Sequence, residues 1–217
     1  MSGFLFAPIQ HLAQIENDEA DRALLSWGHK MGPCRRPMGK LVSHGMFVHG
    51  QLQALVVTAD LVRETCASKT RDEAIELARL CAARTDLCRP MLRLWREFVF
   101  PSFAREWAVS YQDEALHSGN VYRFDGWVQL KEHATSGTDQ RSNRKGRSKT
   151  IWGWNSNSSA MDDARAKAAD AKARAEVEAA KLKAAFVKIL FTTRTDQTAA
   201  TAAWDRPMRD MFAEPAA

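Results

Sequence analysis

Residues 76–127 read ELARLCAARTDLCRPMLRLWREFVFPSFAREWAVSYQDEALHSGNVYRFDGW, and the fold turns on how this stretch is divided. Residues 76–83 set Leu77 and Leu80 among small residues and read as a buried strand. Residues 84–90 interrupt it. Pro90 suits the first turn of a helix, where a missing N–H leaves no bond unmade. Met91, Leu92, Leu94, Trp95, Phe98 and Val99 then form the wide apolar stripe of a core-facing helix, which Pro101 limits. Residues 107–111 are a short apolar strand, followed by a polar segment with Asp113, His117 and Tyr122. A strand–helix–strand unit leaves a ligand crevice beyond the carboxyl ends of its strands, beside the helix N-terminus. The polar residues after each strand fall there.

The flanks extend a sheet on both sides of this unit. Residues 41–48 and 51–62 read as antiparallel strands, with His49 and Gly50 at a two-residue turn where glycine supplies positive φ. Leu55, Val56 and Val57 are the apolar run of a central strand covered on both faces. Residues 63–74, RETCASKTRDEA, read as a polar, irregular connector. Upstream, residues 1–27 read as a strand and a helix. Ile9, Leu12, Ile15, Ala23, Leu24 and Trp27 make an apolar stripe interrupted by the acidic run 16–21. Residues 28–40, GHKMGPCRRPMGK, form a Gly- and Pro-rich loop. Its His29, Lys30, Arg35, Arg36 and Lys40 are either phosphate contacts or solvated cations. Downstream, 128–130 and 151–154 read as strands around a loop with no apolar anchor. Arg141, Arg144, Lys145, Arg147 and Lys149 put five cations within nine residues of that loop. It is either a nucleic-acid contact, with Trp152 and Trp154 stacking on an extruded base, or a solvated loop beside two core tryptophans.

A chain of 217 residues with 45% apolar content suits one domain plus an appendage, with a core of its own. No apolar run approaches the roughly 18 residues of a membrane helix, so no membrane partner is expected. The N-terminus lacks a basic lead and turns acidic quickly, unlike a signal peptide. Cys34, Cys66, Cys81 and Cys88 include no CxxC pair, and the histidines add no trusted ligand spacing, so no metal ligands are assigned and the need for a metal stays open. A reducing, cytoplasmic setting follows. The net charge of +5 is unevenly placed, which favours a polyanionic partner.

Composition shifts at residue 160. Residues 160–191, AMDDARAKAADAKARAEVEAAKLKAAFVKILF, read as a long Ala-rich helix with Asp162 and Asp163 at its start and Lys183 and Lys188 near its end. Val177, Leu182, Phe186, Val187, Ile189 and Leu190 give it an adhesive end, suited to homodimerisation or to holding nucleic acid. The division expected is 1–159 for the catalytic domain, 160–191 for the helix and 192–217 for a flexible tail.

The pattern of elements over about 28–154 resembles the GNAT acyltransferase superfamily. Within it, the pattern resembles the Mom-like DNA-modification enzymes of bacteriophages. LARLCAARTDLCR, the helix after it, SYQDEALHSGNVYRFDGW, GRSKTIWGW and the hairpin LVSHGMFVHGQLQALVVTADLV carry the resemblance. It implies an α/β (α+β) fold: a GNAT-like mixed central sheet flanked by helices, here with a long C-terminal Ala-rich helix. It also implies that Leu80, Cys81 and Ala82 offer a strand edge to an activated acyl donor. Residues 84–89 match the loop that grips the donor's pyrophosphate. That loop, ARTDLCRP, lacks the family's glycines, and Asp86 would repel phosphate, so Arg84 and Arg89 would have to compensate. The donor is acetyl-CoA, another acyl-CoA, or another carrier such as an aminoacyl-tRNA.

The same resemblance gives Asp113 and Tyr122 as the acid–base pair, with Ser110 and His117 beside them. Arg79 is implied as functionally important. On the residues alone, Asp113 reads equally as a helix N-cap, Tyr122 as a core ring and His117 as a surface histidine. Arg79, mid-strand among apolar residues, requires a partner such as Glu76, Glu97 or a bound phosphate. The activity implied is transfer of an acyl-derived group to the N6 amine of adenine in double-stranded DNA, protecting phage DNA from restriction in the host cytoplasm. Two alternatives stand beside it. One is a GNAT enzyme acting on a small-molecule or protein amine. The other is a non-catalytic nucleic-acid-binding protein.

Overall fold

The computed structural model of the chain describes residues 10–36, 39–134 and 148–211. Seven strands form one sheet in the order β1-β2-β3-β6-β7-β9-β8. They are β1 (Gln10–Ile15), β2 (Leu41–Val48), β3 (Gln51–Asp60), β6 (Ala74–Ala82), β7 (Trp107–Asp113), β8 (Val128–Ala134) and β9 (Lys149–Asn155); the short β4 (Thr65–Cys66) and β5 (Lys69–Thr70) pair separately. Every neighbouring pair in the large sheet is antiparallel except β6 and β7. This is the mixed central sheet the sequence leads one to expect.

The β2–β3 turn forms as expected, with His49 at φ 50° and Gly50 at φ 76°. The connector 63–74, expected to be irregular, instead holds the β4–β5 hairpin. Ala67 and Ser68 accept positive φ there, at 47° and 64°. The N-terminal stripe is split between two elements. β1 ends at Ile15, and the acidic run becomes the first turn of helix α1 (Asn17–Ser26), where Asp18 and Glu19 suit the helix dipole.

Helix α2 (Cys88–Leu94) carries Pro90 in its first turn. It continues into a wide turn, Trp95–Val99, and a tight one, Phe100–Phe103. Met91, Leu92, Trp95 and Val99 are buried as the stripe predicts, but Phe98 is 71% exposed. The wide turn inserts an extra residue per turn and rotates Phe98 off the stripe. The Trp95 indole N–H donates to the Thr58 hydroxyl at 2.7 Å, which fixes α2 to the centre of β3.

Helix α2 covers one face of the sheet, over Val56, Ile75, Leu77, Ala108 and Trp152. Helix α1 covers the other over Leu55, Val57 and Cys81. On that second face, at the β7–β9 end, Trp107, Val109 and Ile151 pack with Met161 of helix α4 (Ser158–Met211). The chain divides into two compact units, Met1–Ala168 and Ala169–Ala217. In the second unit the helix runs on to Met211, past the end at 191 that composition suggested, and residues 169–185 are exposed. Among the described residues no helix is long and apolar enough to cross a membrane.

Candidate active site

Strands β6 and β7 run together for only three residues. Ala74, Ile75 and Glu76 pair with Trp107, Ala108 and Val109. Beyond that rung β6 stays with β3 as far as Ala82, and β7 stays with β9 as far as Asp113. The two strands therefore part, and the sheet opens as a fork. Leu80, Cys81 and Ala82 pair with Val56, Leu55 and Ala54 of β3 on one edge. Their other edge faces the opening.

Alternation along each strand assigns side chains to the two faces of the fork. Ser110 pairs with Trp152 and shares the α2 face. At the vertex, the Ser110 hydroxyl donates to the Leu77 carbonyl at 2.9 Å and lies 2.8 Å from the Tyr122 hydroxyl. Tyr122 belongs to the short helix α3 (Asn120–Arg123). Its ring stacks on Trp152, with centroids 5.6 Å apart, and meets Trp127 edge-on at 5.3 Å. Burial pushes the Tyr122 hydroxyl up to about 12, against a smaller opposing effect of its bond to Ser110. At neutral pH it holds its proton. Gly119, at φ 72°, lets α3 approach this closely, because a Cβ there would strike the Gln112 side chain and the Trp152 ring. Gln112 in turn accepts from the Trp152 indole at 2.6 Å and donates to the His117 carbonyl.

The opposite face of the fork is charged. The register between β3 and β6 shifts so that Val57 pairs with Arg79 but Thr58 pairs with Leu77. Ala78 is the extra residue of a β-bulge, and it puts Glu76 and Arg79 on one face although they are an odd number of positions apart. The Glu76 side chain is only 6% exposed. It accepts from the Arg36 guanidinium at 2.5 Å through Oε1, while Oε2 is buried with no hydrogen-bond partner among the described residues. Burial raises its pKa, partly offset by Arg36, Arg79 and Lys149. Arg79 acts on Glu76, one of the partners expected for it, and it also holds the loop. Its guanidinium donates to the carbonyls of Gly32, Pro33 and Ala78 at 3.0, 3.3 and 2.7 Å. Arg79 and Arg36 together fasten residues 32–36 over this face.

The remaining candidates fall as follows. Asp113 ends β7, on the face of Glu76 and opposite Ser110. The stretch after it is a turn and not the helix that QDEAL suggested. The Asp113 carboxylate accepts from the Ala115 N–H at 3.1 Å, and its carbonyl accepts from Leu116 and His117. His117 is exposed on that turn. The structure thus brings Ser110 to Tyr122, places Asp113 across the sheet from them, and leaves His117 outside the fork. Asp86 does not stand as an isolated charge. Arg84 pairs with it at 2.6 and 3.2 Å, which also occupies one of the two cations expected at the phosphate loop. Arg89 donates to the Phe124 carbonyl at 2.5 Å. Arg35 and Lys40 are exposed, whereas Arg36 is turned inward onto Glu76. Lys149 pairs with Asp113 in the β7–β9 ladder. Arg141, Arg144, Lys145 and Arg147 lie outside the described residues.

Glu76 is the residue that sequence reasoning placed only as a salt-bridge partner. Its one signal is an acid on an otherwise apolar strand, where burial requires a reason. Among the described residues no group of three or more His, Cys, Asp or Glu is arranged to hold a metal ion. A cavity of about 450 Å³ is lined by Gln10, His11, Leu12, Met46, Leu94 and Phe98, none of them on β6 or β7.

No protein-family model and no curated protein matches the chain. Solved structures do. A probable GNAT-family acetyltransferase of Chromobacterium violaceum is 11% identical over 69% of this chain and 89% of that one, with a TM-score of 0.49. A probable acetyltransferase of Staphylococcus epidermidis is 10% identical over 68% and 99%, at 0.49. Arabidopsis thaliana NAA60, in complex with acetyl-CoA, is 9% identical over 68% and 99%, at 0.48. By its own strand order and its forked parallel pair, this chain has a GNAT-like α/β fold.

Proposed function

We propose that the chain is an N-acyltransferase in which an acyl thioester and an amine meet at the β6–β7 fork. The parting of two parallel strands directly after Glu76 and Val109 carries this reading, because it opens a strand edge between two chemically different faces. The donor's extended arm adds to the β6 edge as a further strand would, held by backbone groups of Leu80, Cys81 and Ala82. Its pyrophosphate end fits less well. Residues 84–89 contain no glycine, and Arg84 is already paired with Asp86. Acetyl-CoA is the first donor to test, with other acyl carriers behind it.

The acceptor nitrogen approaches from the Glu76 and Asp113 face and adds to the thioester carbonyl carbon. The carbon–sulfur bond breaks, and the nitrogen loses a proton as the amide forms. Glu76, whose Oε2 has no hydrogen-bond partner among the described residues, takes that proton. Tyr122, protonated on the α2 face, supplies one to the departing thiolate. Ser110 holds the tyrosine hydroxyl at the vertex. The products are an amide and a thiol. A thiol-release assay with acetyl-CoA and a panel of small-molecule, peptide and nucleic-acid amines tests this. Acceptor-dependent release that disappears in Tyr122→Phe supports the reading, and release indifferent to that change removes it.

The second reading names the acceptor as the N6 amine of adenine in DNA, the Mom-like activity. One observation favours it. The basic run of residues 141–149 ends at Lys149, whose register partner is Asp113 on the acceptor face. A strand contacted by Lys149 would present a base there, and base extrusion exposes a poorly nucleophilic exocyclic amine to the fork. Expression in bacteria, digestion of genomic DNA to nucleosides and mass analysis decide it. A modified adenosine supports the reading. An unmodified spectrum identical to that of Tyr122→Phe rejects it and leaves the small-molecule or protein amine.

A further inference from the structure

The turn after Tyr122 projects an aromatic ring into an arginine-lined surface that the fork chemistry does not use. Phe124 is 60% exposed, a costly placement for a ring one position from a buried aspartate. Arg89 donates to its carbonyl, and its guanidinium lies 6.0 Å over the ring. Arg93 of α2 and Arg96 of the wide turn after it both reach Asp125, at 3.2 and 3.0 Å. Arg165, from the first turns of α4, donates to the Gly126 carbonyl at 3.3 Å. Arg123, exposed and next to Phe124 in sequence, donates to the Asn120 side-chain oxygen at 3.4 Å.

Charge does not balance here. The Asp125 side chain is 1% exposed and serves two guanidiniums, so it neutralises one. Five arginines stand against Asp125, Glu97 and Asp162. The Arg93 side chain remains 55% exposed, and its one hydrogen bond described uses Nε. Arginine donates in a fixed fork that matches phosphate oxygens, and an exposed ring gives an unstacked base a face to rest on. Phosphate groups spaced around a flat heterocycle are what this arrangement recognises.

We propose that Phe124 and the arginines around it form a docking surface for a single strand of nucleic acid. Phe124 is the stacking platform, and Arg93 and Arg123 are the phosphate contacts. The inference deepens the nucleic-acid reading above and rests on it only for what the strand is doing there. Coenzyme A carries the same chemistry at its nucleotide end, so the test includes it as a separate arm.

The experiment is fluorescence anisotropy with the full chain and an end-labelled 20-mer of mixed sequence, about the length of a modest protein footprint. It is run single-stranded and as a duplex, at about 50 and 200 mM salt. Coenzyme A is titrated separately. Arg93→Glu and Arg123→Glu should each weaken single-strand binding by at least tenfold at low salt. Phe124→Ala should weaken it by roughly 5- to 50-fold with the salt dependence unchanged, because stacking releases no counterions. Arg22→Glu, an exposed change on α1, should leave binding within twofold. Circular dichroism confirms that each variant is folded. The proposal is overturned if the wild type does not bind at 50 mM salt, or if Arg22→Glu weakens binding as much as Arg93→Glu. It is also overturned if the surface variants lose coenzyme A affinity while oligonucleotide binding stays unchanged. Because anisotropy reads binding and nucleoside mass reads modification, loss of one is distinguishable from loss of the other.

Discussion

The Tyr122 hydroxyl sits 2.8 Å from the Ser110 hydroxyl, which itself donates to the Leu77 carbonyl. Serine has one proton to give, so the proton between the two hydroxyls is the tyrosine's. In the mechanism proposed above, this is the proton that passes to the departing thiolate.

Tyr122→Phe should leave the vertex packed, since Ser110 keeps its bond to Leu77 and the ring keeps its neighbours. The expected loss of stability is about 1 kcal/mol. The expected loss in kcat is about a hundredfold or more, with KM for the donor little changed. Steady-state kinetics alongside thermal melts separate the two effects. With the hydroxyl pushed up to about 12, wild-type activity should also show no alkaline decline from this group at the ordinary tyrosine position near pH 10.

With Glu76 as the base proposed above, its ionisation sets the acidic limb. Its pKa is raised by burial above the usual 4.5, and it acts as a base only once ionised. Activity should therefore rise with pH through a value above the ordinary glutamate range. Arg36 is the largest influence holding that value down, so Arg36→Ala should move the limb to higher pH. The sign for stability is the reverse of a salt-bridged carboxylate. A raised folded-state pKa contributes stability below about pH 4.5, and that contribution is lost as pH rises through the folded-state value. Melting temperature against pH should fall less steeply in Glu76→Gln.

Gly119→Ala tests the approach of α3 to β7. The added methyl meets Gln112 and Trp152, and the positive φ adds strain. Because the Gly119 carbonyl accepts from Tyr122 and Arg123, any shift is passed to the tyrosine. A loss of about 1–3 kcal/mol is expected. In a denaturant titration it should appear as a lower midpoint with an unchanged slope, and kcat should fall beyond what the melt explains.

Trp95→Phe removes the donor to Thr58 from the core. The orphaned hydroxyl and the lost indole volume should cost about 1–3 kcal/mol in a denaturant titration. Turnover should change little, since neither residue reaches the fork.

The main strands, the 41–62 hairpin and the βαβ unit were readable because hydrophobic period and turn residues carry them. His49 and Gly50 mark a turn, and Pro90 marks a helix start. The fork itself was not readable from local pattern. Strands part because of the pairings β6 makes with β3 and β7 makes with β9, and those are non-local. The bulge at Ala78 was also hidden, since parity alone puts Glu76 and Arg79 on opposite faces. That hid the charged side of the site and the inward turn of Arg36. Ser110 and Tyr122 lie twelve positions apart, and only the glycine-permitted turn at Gly119 joins them. Phe98 misled for a similar reason: a wide helical turn breaks the period that a stripe assumes. Asp113 was ambiguous in sequence because a carboxylate at a strand end reads alike whether the chain turns or starts a helix there, and it turns.

Hydrogen exchange of the full chain with and without saturating coenzyme A tests most directly whether a thioester donor lodges along β6. Slowed exchange at the amides of Leu80 and Ala82, which alternate with the β3-bonded amide of Cys81, together with those of the 84–89 loop, is the result expected. Exchange at those amides that is identical in both samples, or protection confined to the cavity beside Leu12 and Phe98, would contradict it.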